Sequence, residues 1–300
     1  MLDDRLAPCS TLTTMDSLVS PAPAATQGPA AAMRWRVEEI DWNGIDHARI
    51  ADDELLFYLL TSASFIESGS DLYTRNLIGH YARWPDVAQW LAAHWEQEEL
   101  QHGRAFASYV QAAWPQFPWQ QAFEGFMAEY GPMCTVEELD PEPSLEMAAR
   151  CVVEMGTTTY YHTLRELSRE PVLTGLLSQV RADEVSHYKH FLAYFRQLSA
   201  QQPVSRLRVA RVLYQRLLEL RESDSDVALR HVWAHKGPLF ANGAQSFGEI
   251  SQRIYQTVSR QLPADLAVRM LLKPLQLPTR LEQWISPTLV RVARRIVAAE

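Results

Sequence analysis

WEQEELQHGR (residues 95–104) and ADEVSHYKHF (residues 182–191) are the two stretches that decide the fold of this 300-residue chain. Each contains a glutamate followed three residues later by a histidine, at Glu99–His102 and at Glu184–His187. The two members of such a pair lie on one face of a helix and point into the same space. Chance alone gives about one such pair in a chain with this many glutamates and histidines. Two pairs in separate helical segments therefore indicate a shared chemical role.

Four long amphipathic helices are predicted between residues 33 and 200. Their apolar stripes place three of them at about residues 52–81, 85–113 and 144–169, and the fourth begins at Pro171. A short helix is expected in the loop-rich stretch between the second and the third. Each apolar stripe is interrupted near its middle by a carboxylate. The four interruptions are Glu67, Glu99, Glu154 and Glu184.

One interpretation of these glutamates is a solvated surface position, which is the common fate of a Glu. It conflicts with their place inside the apolar stripes, because four unpaired carboxylates in one core would repel one another. Two divalent cations would balance the charges and give each imidazole a partner. The order Glu, Glu-x-x-His, Glu, Glu-x-x-His is the ligand pattern of dimetal sites in ferritin-like bundles. We therefore predict an all-α, ferritin-like four-helix bundle whose core holds two metals on Glu67, Glu99, His102, Glu154, Glu184 and His187.

An acid precedes the glutamate in both motifs, Glu98 in the first and Asp183 in the second. A metal-bound histidine usually donates its second N–H to a carboxylate, which fixes the ring. Asp183 facing His102, and Glu98 facing His187, would supply these carboxylates from the opposite helix. A solvated position on the outer helix face is the alternative for both acids.

At these residues the sequence resembles the ferritin-like diiron-carboxylate proteins, and among them the soluble acyl-acyl-carrier-protein desaturases. The matching segments are IESGSDLY (66–73), WEQEELQHGR (95–104), EMGTTTYY (154–161) and ADEVSHYKHF (182–191). The resemblance implies two iron ions, O2 as co-substrate and an external electron donor, although carboxylate-rich ligands also suit manganese. It further implies that Thr157 lies on the oxygen-binding side of the metals, with back-bonding to the preceding turn as the alternative for its hydroxyl.

Outside the metal helices the match with this family is weaker. The tryptophan that relays electrons in the family has two candidates here, Trp35 and Trp42. An N-oxygenase-like site would need another histidine one turn before the last motif, where this chain has Val180. Residues 201–300 match nowhere residue by residue. They carry amphipathic patterns, one of them over Val204, Leu207, Ala210, Leu213 and Leu217, so helices that pack on the bundle and mediate self-association are expected.

Composition divides the chain into three parts. Residues 1–32, rich in Ser, Thr, Ala and Pro, are expected to form a disordered leader rather than a targeting signal. Residues 33–200 form the predicted bundle, and residues 201–300 form a helical C-terminal extension. The extension has a net charge of +7, whereas residues 1–200 have a net charge of −15. Together with the resemblance to desaturases, whose substrates arrive on acidic carrier proteins, this contrast makes an acyl carrier protein a candidate partner through Arg291, Arg294 and Arg295. A homodimer is also left open, and the net charge of −8 disfavours nucleic acid.

Several other classes of protein are excluded by the sequence. No apolar run is long enough to span a membrane, and no Gly-rich dinucleotide or phosphate motif occurs. The three cysteines form neither a CxxC pair nor a disulfide framework, which fits a reducing cytoplasm. The predicted function is a non-haem diiron, O2-activating oxidoreductase, desaturase- or oxygenase-like, that acts on an apolar, acyl-type substrate. The alternatives are a ferritin- or rubrerythrin-like protein that binds iron or handles peroxide, and a metal-free helical scaffold.

Overall fold

The computed structural model describes residues 33–136, 139–222, 224–244 and 246–298. Within these ranges the chain is helical and contains no β-strand, so the predicted all-α class is confirmed. The leader expected at residues 1–32 lies outside the described residues. In the described chain no helix combines the length and apolar character needed to cross a membrane.

Thirteen α-helices follow one another in the described ranges. They are α1 His47–Ile50, α2 Glu54–Ser68, α3 Asp71–His80, α4 Pro85–Trp90, α5 Glu96–Ala113, α6 Trp119–Tyr130, α7 Pro143–Leu167, α8 Pro171–Gln201, α9 Arg206–Glu222, α10 Asp224–His235, α11 Phe247–Gln261, α12 Ala264–Leu272 and α13 Thr279–Ala298. The four longest elements of the first two hundred residues, α2, α5, α7 and α8, form the bundle. α2 packs on α5, and α7 packs along α8.

The first two predicted helices are each interrupted in the structure. The first ends at Ser68, and Gly69 closes it by donating its N–H to the carbonyls of Phe65 and Ile66 before α3 begins. The second contains a π-helical segment, Leu91–Trp95, between α4 and α5. A π-helix has a wider turn than an α-helix and shifts the face that precedes it. In α4, Val87 is buried and Ala88 is partly buried against the same apolar cluster.

The helices that carry the third and fourth predicted carboxylates begin at prolines. Pro143 opens α7 and Pro171 opens α8, positions where the missing proline N–H breaks no helical hydrogen bond. Glu170 caps α8 by accepting from the N–H groups of Val172 and Leu173. The same buried carboxylate also accepts from the Tyr109 hydroxyl at 2.8 Å, so the start of α8 is tied to α5.

The last hundred residues add helices that pack on the bundle. α9 and α12 lie against α7, and α10 lies against α2 and α6. Buried Glu54 joins α2 to the C-terminal region, accepting from the Ala244 N–H at 3.0 Å and from Arg253 at 2.7 Å. The inward face of α9 agrees only in part with the predicted stripe: Leu213 is buried as expected, but Leu207 is 81% exposed and Val209 is buried. The division into a bundle at 33–200 and an extension at 201–300 stays an interpretation.

Candidate metal centre

All six predicted metal ligands lie in the centre of the bundle and are buried. Each of the four long helices contributes a glutamate, and α5 and α8 each add a histidine. No member of the set is more than 5% exposed. The set comprises Glu67 on α2, Glu99 and His102 on α5, Glu154 on α7, and Glu184 and His187 on α8.

The six side chains form two groups that share one carboxylate. Within each group, one ligand atom per residue lies within 4.8 Å of all the others. The larger group contains Glu99, Glu154, Glu184 and His187. The smaller group contains Glu67, His102 and Glu184. Glu184 can therefore contribute one oxygen to each of two neighbouring cations, which is the role of a bridging ligand.

Buried polar atoms that lack a hydrogen-bond partner show whether the core has donors available for a pair of metal ions. Glu67 Oε2, Glu184 Oε1 and the Nδ1 atoms of His102 and His187 are buried and have no hydrogen-bond partner among the described residues. His102 Nδ1 lies 3.2 Å from Glu184 Oε1, yet the two atoms do not meet hydrogen-bond geometry. A buried polar group without a partner is unfavourable by about 1–3 kcal/mol. Oxygen and imidazole atoms gathered in this way match the donors that Fe and Mn prefer.

The opposite nitrogen of each imidazole is paired with a carboxylate from the facing helix. His102 Nε2 lies 3.2 Å from Asp183 Oδ2, and His187 Nε2 lies 2.7 Å from Glu98 Oε2. This crossed arrangement leaves Nδ1 of each ring directed at the cluster. Carboxylates in this position orient a metal-bound imidazole and increase its basicity.

Trp35 extends one of these pairs towards the surface. Its indole N–H donates to Asp183 Oδ2 at 2.7 Å, and its ring lies parallel to that of His102 at a centroid separation of 6.1 Å. Arg34, which is half exposed, donates to the Ala182 carbonyl at 2.8 Å. Of the two tryptophans that the sequence offers, Trp35 is therefore the one in contact with the histidine side of the centre.

Three hydroxyl groups donate to the glutamates of the cluster. Thr157 donates to Glu184 Oε2 at 2.8 Å, and the same hydroxyl lies 3.2 Å from the Glu154 carbonyl one turn earlier. The Tyr161 hydroxyl donates to Glu67, and that of Tyr73 lies 3.3 Å from Glu99. Neither tyrosine was predicted. Tyr161 could have been, because seven residues after Glu154 is two turns along the same helix face.

Burial raises the pKa values of two carboxyl groups in the cluster, and neighbouring charges decide the outcome at a third. It raises the pKa of Glu67 well above its usual range, and the negative charges of Glu99 and Glu184 raise that pKa further. Burial likewise raises the pKa of Glu154 well above its usual range. At Glu184 burial acts in the same direction, but the nearby His102 and His187 outweigh it and lower the pKa.

The pKa values of the two histidines are raised, whereas burial ordinarily lowers the pKa of an imidazole. Burial alone would lower the pKa of His102, but the adjacent Asp183 and Glu184 raise it well above its usual value. At His187 the surrounding carboxylates outweigh burial in the same manner. Without cations the cluster therefore retains protons on both rings and on part of its carboxyl groups. A metal pair would replace that positive charge.

Close helix packing at Gly103 brings the smaller group together. A Cβ atom at this position would lie 2.8 Å from the backbone of Glu67 and Ser68. α5 therefore approaches the end of α2 at a distance that only glycine permits, with His102 and Glu67 beside the point of contact.

Two further sequence features have plain structural roles. Val180 is fully buried, so an apolar group occupies the position where an N-oxygenase-like site would have another histidine. His190 stacks on Trp90 at a centroid separation of 4.7 Å and belongs to neither ligand group.

Comparison with known proteins identifies the fold. No protein-family model matches the sequence, and no curated protein matches it. Two solved variants of an R2-like ligand-binding oxidase with an aerobically reconstituted Mn/Fe cofactor superpose with a TM-score of 0.51 at 14% sequence identity. Both alignments cover 87% of this chain, and they cover 88% and 91% of the two oxidase chains. The likeness confirms a ferritin-like helical bundle, and the narrower resemblance to acyl-carrier desaturases stays a prediction.

Proposed function

We propose that this protein is a non-haem dimetal oxidoreductase that uses O2. The observation that carries the proposal is the set of four orphaned ligand atoms, on Glu67, Glu184, His102 and His187, that point into one buried space. Without metal these atoms meet only as ion-pair contacts outside hydrogen-bond geometry, such as His102 Nδ1 at 3.2 Å from Glu184 Oε1, so their hydrogen-bonding capacity stays unused. The R2-like oxidases of similar fold carry a Mn/Fe cofactor, which supports a dimetal role for this cluster.

Iron is the proposed metal, and manganese is the alternative at one or both positions. Glu184 would bridge, Glu99, Glu154 and His187 would complete one position, and Glu67 with His102 would form the other. When bound, a reduced metal pair supplies the electrons that O2 needs in order to react with an organic substrate. The protein contributes ligand geometry and exclusion of water.

The surrounding residues would keep this geometry fixed and connect it to an electron donor. Asp183 and Glu98 hold the two imidazoles by their Nε2 atoms, and Tyr161 and Thr157 hold Glu67 and Glu184 by hydrogen bonds. Electrons from an external donor would enter through Trp35, because its indole shares Asp183 with His102.

The proposed substrate is apolar and of acyl type. The basis is the resemblance to desaturases, together with the apolar side chains beside the cluster. Phe106 is fully buried and packs on Tyr161, with ring centroids 5.2 Å apart, one turn beyond His102.

The test is to load the protein anaerobically with Fe(II), remove excess metal and measure both iron content and O2 consumption. We expect two irons per chain, and O2 uptake that continues only when an external reductant is supplied. Glu184→Gln should lose iron, whereas exposed Glu124→Gln, a matched control on α6, should not. Uptake of many irons per chain with formation of a mineral would support the ferritin-like alternative. Absence of tightly bound metal in the wild type would contradict any dimetal function.

A further inference from the structure

The last helix exposes an apolar stripe to solvent. Along α13, Leu281 is 41% exposed, Trp284 78%, Leu289 36% and Val292 44%. The opposite side of the helix holds it on the protein, because Val290 is buried in a small apolar cluster with Val268 of α12. Exposed apolar residues that recur on one helix face usually mark a site of interaction with another protein, a membrane or a ligand.

A second exposed stripe begins next to the first. On α9, Leu207 is 81% exposed, Tyr214 62% and Leu218 41%. Arg206 at the start of α9 donates to the carbonyl of Gln276 at 2.9 Å, three residues before α13 begins. The N-terminus of α9 therefore lies close to the segment that precedes α13, and both helices expose leucine and aromatic side chains.

Arginines accompany both stripes and outnumber the carboxylates there, and Glu219 on α9 lies 3.1 Å from Arg216. Arg208 and Arg211 are exposed on α9, as are Arg280 and Arg291 on α13. The acids of this region already have basic partners: Glu282 lies 2.9 Å from Lys273, and Asp265 lies 2.6 Å from Arg294. The Arg291 guanidinium contacts only its own helix, at Pro287 and Thr288, among the described residues. The exposed apolar stripes thus lie in a region of net positive charge.

We propose that α9 and α13 dock this protein on an anionic phospholipid surface. Helices that lie in a membrane interface combine an apolar stripe, an interfacial Trp or Tyr, and arginines that pair with lipid phosphates. Charge complementarity selects this occupant over a second copy of the chain. A second copy paired through the same face would present the same net positive charge, whereas anionic headgroups neutralise the exposed arginines. This proposal does not depend on the dimetal function.

Co-sedimentation of the full chain with vesicles tests the proposal. We expect binding to vesicles of phosphatidylglycerol with phosphatidylcholine, little binding to phosphatidylcholine alone, and weaker binding as salt increases. The double variant Arg280→Gln/Arg291→Gln should bind the anionic vesicles about 25-fold more weakly, at about fivefold for each arginine. Trp284→Gln should weaken binding at least about tenfold.

Matched controls carry the same changes elsewhere on the surface. Met133→Gln removes an apolar side chain that is 47% exposed, and Arg83→Gln removes an exposed arginine. Both should bind like the wild type, and circular dichroism should report unchanged helix content in every variant. The proposal is overturned if the wild type fails to bind anionic vesicles at low salt, or binds both vesicle types equally. It is also overturned if Trp284→Gln abolishes a dimer, or if the arginines bind an acidic acyl carrier protein and not the vesicles.

Discussion

The carboxylate of Asp183 accepts a hydrogen bond from the Trp35 indole at 2.7 Å, although 148 positions separate the two residues in sequence. The same oxygen lies 3.2 Å from His102 Nε2. A single buried carboxylate thereby fixes the ring of a candidate metal ligand and connects it to an aromatic side chain. The order of the three groups suits both roles, ligand orientation and electron entry.

Removing the charge of Asp183 should weaken the metal centre. Asp183→Asn retains the size of the side chain but no longer stabilises the imidazole, and loss of such a partner typically costs 10–100-fold in metal affinity or activity. Equilibrium titration with Fe(II) or Mn(II) measures the change. Glu166→Gln on the exposed side of α7 is the control and should bind as the wild type does. Equal affinities for Asp183→Asn and the wild type would remove the orienting role.

Changing Trp35 should separate electron transfer from metal binding. Trp35→Phe retains an aromatic ring but loses the N–H that bonds to Asp183, so we expect slower reduction of the oxidised, metal-loaded protein by an external reductant. Metal content should stay at the wild-type level. Stopped-flow absorbance measures the reduction rate. Trp42→Phe, a change in the other candidate tryptophan, should leave the rate unaltered, and the reverse result would move the entry point to Trp42.

The two metal positions should differ in affinity. Four residues converge on one position and three on the other, with Glu184 common to both. Glu67→Ala should therefore leave one ion bound at wild-type affinity, whereas Glu154→Ala should weaken the first ion as well. Titration with Mn(II), followed by the EPR signal of the free ion, gives stoichiometry and affinity for each variant. Loss of the first ion in Glu67→Ala, with retention in Glu154→Ala, would reverse the assignment.

Metal affinity should fall as pH falls. Because the pKa values of His102, His187, Glu67 and Glu154 are all raised in the cluster without metal, these groups retain protons to higher pH than usual. Metal ligands must be deprotonated, so each bound ion displaces protons, and acid competes with the metal. Calorimetry in buffers of different ionisation enthalpy counts the released protons. Binding without proton release at neutral pH would contradict the raised pKa values.

The burial of the candidate ligands could be predicted from sequence because a charge inside an apolar stripe is visible in the pattern itself. The inward position of Glu154 follows from the 3.6-residue period of the apolar residues around it, without information on which helices pack nearby. Tyr73 and Trp35 could not be found in this way, since each meets the cluster through a contact between elements distant in sequence. Local periodicity has no information about such contacts.

The same limit explains the errors in helix faces. Of the predicted stripe on α9, Leu213 is buried as expected, but packing on α7 also buries Val209 and Val212 and leaves Leu207 exposed. The π-helical segment Leu91–Trp95 widens the turn between α4 and α5, a feature that an ideal helical period does not contain. The hydrophobic periodicity therefore predicts where the helices lie better than it predicts which face of a peripheral helix is buried.

A methyl group at Gly103 should destabilise the protein and disturb the smaller ligand group. Gly103→Ala places a Cβ 2.8 Å from the backbone of Glu67 and Ser68, which cannot move aside as a flexible side chain could. Overpacking of this kind typically costs about 1–3 kcal/mol of unfolding free energy. Gly175→Ala is the matched control, because this exposed glycine of α8 has nothing within 4 Å of its Cβ position, and alanine there should stabilise the helix by up to about 1 kcal/mol. Urea unfolding of the metal-free proteins measures both changes. Opposite signs for the two variants are expected, and a Gly103→Ala protein as stable as the wild type would show that α2 and α5 can separate without loss.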